Sequence, residues 1–196
     1  MNGNFLVCVI TTPDPVANEA ETISRLLESG AADYVHIRRP GRPESEIRNL
    51  ISRIPVELHP RLRLHDCFAL LSEFDLAGVQ LNSRCGERPV DATGVSFSCH
   101  SLEEAMLRAG EADYVTLSPV YDSISKSGYR SSFAPAGVKG KILAPNVIAL
   151  GGVVPESFRE LRDAGFAGAA LLGYVWDAGV SADDAIEKII KYKSML

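Results

Sequence analysis

Eight apolar runs of strand length, each followed by a helical stretch or a long connection, are the feature that most limits what this chain can fold into. They are FLVCVIT (5–11), DYVHIR (33–38), LRLH (62–65), AGVQL (77–81), TGVSFSC (93–99), DYVTLS (113–118), NVIALGG (146–152) and GAALLG (168–173). Strands apolar on both faces belong in a parallel sheet covered by helices. Eight such units predict an α/β fold, a compact (β/α)8 TIM barrel spanning residues 1–196 as a single domain, small beside the about 250 residues usual for it. The rival is a doubly wound open sheet, which would show fewer units and one Gly-rich turn after its first strand. That strand ends instead in TTPDP (11–15).

The connecting segments carry helical periodicity. Ala20, Ile23, Leu26 and Leu27 share one helical face, with Gly30 closing the segment, and Ile47, Leu50, Ile51 and Ile54 share another. Ser101 and Glu104 have capping-box spacing, and Pro155 suits a first helical position. GAADYVHI (30–37) and GEADYVTL (110–117) nearly repeat, and AGFAGAALL (164–172) is a looser echo. Both internal duplication and the small repertoire of helix-to-strand turns account for them.

Composition removes several function classes. The formal net charge of −5 argues against a broad basic surface for nucleic acid. No apolar run approaches the roughly 20 residues of a bilayer span, and MNGNFLVCVITTPDP lacks the basic start and cleavage site of a signal peptide. Cys8, Cys67, Cys85 and Cys99 are widely spaced without a CxxC pair, so they read as free thiols in a cytoplasmic protein.

In a barrel of this kind the chemistry lies where the strands end. Thr11, Thr12, His36, Arg38, Arg39, His65, Asp66, Gln80, Asn82, Ser96, Ser98, His100, Ser118, Gly151, Gly152 and Gly173 fall there. Gly151 and Gly152 let backbone approach a ligand closely, and with Gly173 they occupy the recurrent phosphate position after strands seven and eight. The alternative is a glycine pair serving only a tight turn. His36 and Arg38 share a strand face, and Arg38 needs an anionic partner, either a ligand or Asp66. Asp66 is a candidate metal ligand or base. His65 reads as structural, His100 as local capping beside a helix start, and His59 as a surface loop residue. Neither Cys85 nor Cys99 shows thiolate activation. The segment SPVYDSISKSGYRSS (118–132) follows a core strand with hydroxyls and cations suited to an anion.

The ordered set DYVHIRRP, RLHD, AGVQL, GVSFSCHSLEEA, ADYVTLSPVYDSISKSGY and NVIALGG…AGFAGAALLG resembles the thiamine phosphate synthase/TenI family across nearly the whole chain. The resemblance implies a homodimeric barrel that couples hydroxymethylpyrimidine diphosphate to thiazole phosphate, releasing diphosphate with Mg²⁺. It implies Arg38 and Lys126 as catalytic, Asp66 as metal ligand, and Ser123, Ser125, Gly151, Gly152 and Gly173 as substrate-binding; Ser96, from its strand-end position, is a further substrate-binding candidate. The family's Gln-x-Arg-x-Lys appears as His36-Ile37-Arg38-Arg39-Pro40, with His36 a replacement base. Its second metal aspartate, expected after GVQL, is missing, leaving Glu87 or Asp91 as substitutes. The alternatives are a TenI-like thiazole tautomerase, whose usual histidine falls at Pro119, and a non-catalytic thiazole-phosphate or thiamin-phosphate binding protein.

Overall fold

A computed structural model describes residues 5–83, 85–122, 132–142, 144–176 and 179–196. Eight parallel strands close in sequence order into a barrel, β1 pairing with both β2 and β8. They are β1 (Leu6–Ile10), β2 (Tyr34–Ile37), β3 (Leu62–Leu64), β4 (Gly78–Leu81), β5 (Val95–Cys99), β6 (Tyr114–Leu117), β7 (Val147–Leu150) and β8 (Gly168–Leu171). Every strand expected from the apolar runs is present, each shorter by one to three residues where the turn begins. The open sheet is excluded by closure.

The outer layer contains α1 (Glu19–Glu28), α2 (Glu44–Ser52), α3 (Leu102–Ala109), α4 (Pro135–Val138), α5 (Phe158–Ala164), α6 (Gly173–Trp176) and α7 (Ala182–Ser194). The predicted faces are the buried ones: Ala20, Ile23, Leu26 and Leu27 on α1, and Ile47, Leu50 and Ile51 on α2. They pack on outward-facing strand residues such as Val7, Val9 and Val35. Full burial of each leucine or isoleucine is worth about 1.5–3 kcal/mol. The Ser101 hydroxyl caps α3 by accepting the Glu104 N–H at 3.0 Å, while Glu104 accepts the His100 N–H at 2.8 Å. Pro155 opens a 3₁₀ turn that leads directly into α5.

His59 is a correction. It is buried in a 3₁₀ segment, where its Nε2 lies 3.0 Å from the Ile54 carbonyl and 3.2 Å from that of Ile51. The backbone carbonyls left over at the end of α2 recruit its ring, so it is no surface loop residue.

The barrel interior is unusually polar. Its apolar part is Cys8, Ile10, Tyr114, Ile148 and Ala170, and His36, Arg63, Gln80, Ser96 and Thr116 are buried with them. Arg63 is 2% exposed, pairs with Asp113, and stacks between the rings of Tyr34 (5.1 Å) and Tyr114 (4.6 Å). Cation–π attraction offsets part of the cost of burying that charge. Gly94 makes room for it, because a Cβ there would stand 2.9 Å from Arg63 Nη2. The near-repeated DYV motifs thereby acquire a physical sense: each sends its tyrosine inward to flank the same guanidinium.

Candidate active site

The C-terminal strand ends gather the polar groups that sequence reasoning singled out, at two depths. Deeper lies a hydrogen-bonded chain. His36 is fully buried, with Nε2 2.5 Å from the Tyr114 hydroxyl and Nδ1 3.0 Å from His65 Nε2. A neutral His36 satisfies both contacts by accepting from Tyr114 and donating to His65. Burial holds its basicity well below the ordinary imidazole value, with His65 and Arg63 adding to the effect. Burial likewise pushes the Tyr114 hydroxyl well up, so it stays a donor. His36 is thus a core group with both nitrogens engaged. Ser96 is also fully buried, donating to Gln80 Oε1 at 2.5 Å and lying 3.2 Å from the Val79 carbonyl. Ser98, two residues on and half-buried, lies nearer the mouth and accepts from Gln80 Nε2 at 2.9 Å.

Around the rim, Arg38 and Arg39 diverge. Arg39 is buried in an ion pair with Glu19 of α1, and its Nη1 also donates to Thr11 Oγ1 at 3.1 Å. The Arg38 N–H donates to Thr11 Oγ1 at 2.9 Å, while its side chain keeps partial exposure. Two adjacent arginines therefore do different work. Arg39 ties α1 to the strand ends, and Arg38 is the one presented at the rim.

Gly151 and Gly152 adopt φ of +97° and +64°. A Cβ on Gly152 would meet the Asp122 carbonyl at 2.3 Å, and one on Gly151 would meet Pro119 Cα at 3.0 Å. Val120 and Tyr121 donate their N–H groups to the Leu150 and Gly151 carbonyls, each at 3.0 Å. The glycine pair is thus required by the backbone that follows β6, a need the strand-end position alone does not reveal. Gly173 opens α6 directly after β8. Ser123, Ser125 and Lys126 lie outside the described residues.

His100 is exposed, with its Nδ1 3.3 Å from both the carbonyl and the hydroxyl of Ser118. The α3 cap uses its backbone rather than its ring. Burial pushes the Cys8 and Cys99 thiols up to about 12, so neither is an activated nucleophile.

Asp66 follows β3. Its Oδ2 has no solvent exposure and no hydrogen-bond partner among the described residues, an arrangement that suits a cation. The expected substitutes Glu87 and Asp91 are both exposed. Cys85 takes the position beside Asp66 instead. A backbone bridge between Asn82 and Cys85 turns the chain back after β4, and the Cys85 thiol comes to lie 3.7 Å from Asp66 Oδ1. Among the described residues, no three His, Cys, Asp or Glu side chains are gathered as a metal-binding group. Mg²⁺ sites commonly use only one or two protein carboxylates and take the rest from substrate phosphates and water. Asp66 fits that pattern; the thiol beside it does not. Sequence reading missed this pairing.

Comparison with known proteins gives the family of the chain as a whole. The sequence model of the family described as Thiamine monophosphate synthase matches residues 6–175. A Thiamine-phosphate synthase from Leuconostoc citreum is 22% identical over 185 residues, covering 84% of this chain and 85% of the relative. The crystal structure of a thiamine phosphate pyrophosphorylase from Bacteroides thetaiotaomicron superposes with a TM-score of 0.82 and 35% identity, covering 97% of this chain and 98% of that one. A thiamine phosphate pyrophosphorylase from Pyrococcus furiosus shares the fold at a TM-score of 0.76 and 23% identity, covering 98% and 97%. With the match running from β1 into α6 and through every strand end described above, this chain belongs to the thiamine monophosphate synthase family.

Proposed function

We propose that this protein is a thiamine phosphate synthase, a transferase that joins hydroxymethylpyrimidine diphosphate to thiazole phosphate. One observation carries the reading: the family match spans residues 6–175 and takes in Arg38, Asp66 with its unpartnered Oδ2 and the glycine turns after β7 and β8. The pyrimidine's C–O bond breaks with both electrons leaving on diphosphate, and the thiazole nitrogen's lone pair forms the new C–N bond. A divalent cation, when bound at Asp66, supplies charge neutralisation to the departing group. Arg38 and Lys126 add positive charge to the diphosphate, and cations beside the departing group lower the barrier by stabilising the charge that develops on it. Gly151, Gly152 and Gly173 take the thiazole phosphate, with Ser123 and Ser125 contributing hydroxyls. The deep chain of His36, His65 and Tyr114 shapes the floor and takes no proton from substrate.

The protein acts as one domain over residues 1–196, in the cytoplasm and as a homodimer. No helix among the described residues is long and apolar enough to cross a membrane. Coupling assays on variants test the assignment. Lys126→Ala and Arg38→Ala are each expected to lower kcat by about 100-fold or more, as loss of one charge-stabilising donor does. Unchanged turnover in both would remove them from the mechanism and overturn this reading of the rim.

A further inference from the structure

We propose that Asp66 and Cys85 form a mixed oxygen–sulfur ligand pair, and that the cation this rim prefers beside a diphosphate is zinc-class (Zn²⁺, Co²⁺ or Cd²⁺) rather than Mg²⁺. The inference rests on the reading that Asp66 faces the diphosphate. Two features support it independently: Asp66 Oδ2 is sealed from solvent and unpartnered among the described residues, and the Asn82–Cys85 bridge aims the Cys85 thiol at the other oxygen, 3.7 Å away. A hard ion such as Mg²⁺ gains nothing from sulfur, whereas thiolate is a favoured donor for zinc-class ions. Two protein donors suffice because diphosphate oxygens and water complete the shell. On binding, the Cys85 S–H proton passes to solvent and the sulfur lone pair forms the S–metal bond, with no change of oxidation state. Glu87 and Asp91, both exposed, take no part.

Cobalt titration with inorganic diphosphate as co-ligand tests this through a spectroscopic signal rather than turnover. The unaltered protein is expected to develop a thiolate-to-Co²⁺ charge-transfer band that saturates at one ion per chain and survives a large excess of Mg²⁺. Cys85→Ser should abolish the band and weaken Co²⁺ binding by more than the roughly 10–100-fold that loss of an outer-shell partner costs. Cys67→Ser, which alters the other thiol next to Asp66, should leave the band intact. Cys85→Asp should lose the band and gain Mg²⁺ binding with diphosphate, measured calorimetrically, so the inference stays testable if the serine variant folds poorly. No band in the unaltered protein, or a band that persists in Cys85→Ser, overturns the proposal. Coupling is assayed on the same protein under Mg²⁺ and under Co²⁺. Product under Mg²⁺ without a band sinks the ligand pair alone; a band without product under either ion sinks the coupling reading alone.

Discussion

His36 makes stability depend on pH in a direction that can be worked out. Its ring is fully buried between Tyr114 and His65, and burial, with help from His65 and Arg63, holds its basicity well below the ordinary value. The unfolded chain therefore binds a proton near pH 6.5 that the folded protein refuses. This contribution to stability is fully present above the unfolded value and is lost as pH falls below it. One unit below, at about pH 5.5, the loss is on the order of 1 kcal/mol. For a chain of this length that corresponds to roughly 2–4 °C in Tm, or about 0.3–1 M in the urea midpoint. Urea unfolding at pH 7.5 and 5.5, on the wild type and on His36→Gln, isolates the effect, because glutamine does not titrate. The variant should lose less than the wild type over that interval, by on the order of 1 kcal/mol. Equal losses in both proteins would show that the His36 ring is not held neutral in the core.

Two further outcomes follow from burial and backbone geometry. Glu19→Gln leaves Arg39 buried without its counter-charge and should cost about 3–5 kcal/mol. Asp183→Asn, which breaks a pair whose arginine and aspartate side chains are 39% and 75% exposed, should stay within about 1 kcal/mol; comparable urea midpoints for the two would contradict the burial argument. Gly152→Ala places a Cβ against the Asp122 carbonyl at a φ of +64° and should cost at least about 1–2 kcal/mol, with raised KM for thiazole phosphate. Wild-type stability and kinetics there would remove the close approach of the two loops.

The strands were legible because buried parallel strands are apolar on both faces, so runs such as FLVCVIT and NVIALGG announce themselves without their neighbours. The faces of α1 and α2 were legible for a similar local reason: helical period alone places Ile23 with Leu27 and Ile47 with Ile51. What escaped the sequence are partnerships made across the barrel. Arg63 sits in an ordinary-looking LRLH, and its partner Asp113 is 50 residues away. Nothing local to His36 reveals its contact with Tyr114, 78 residues on. Ser96 and Ser98 share a strand face, and only the register of β5 with β4 distinguishes the one consumed by Gln80 Oε1 from the one nearer the rim. Cys85 appeared to be the absence of an aspartate; the turn that brings it to Asp66 is a backbone event with little side-chain signature.

The most direct test of the coupling assignment is product stoichiometry. Purified protein is incubated with hydroxymethylpyrimidine diphosphate, thiazole phosphate and a divalent cation, using Mg²⁺ and Co²⁺ in parallel. One thiamin phosphate and one diphosphate should appear for each pyrimidine consumed. Tight thiazole-phosphate binding with neither product under either cation would contradict the synthase assignment and leave a thiazole tautomerase or a non-catalytic binding protein as the surviving account.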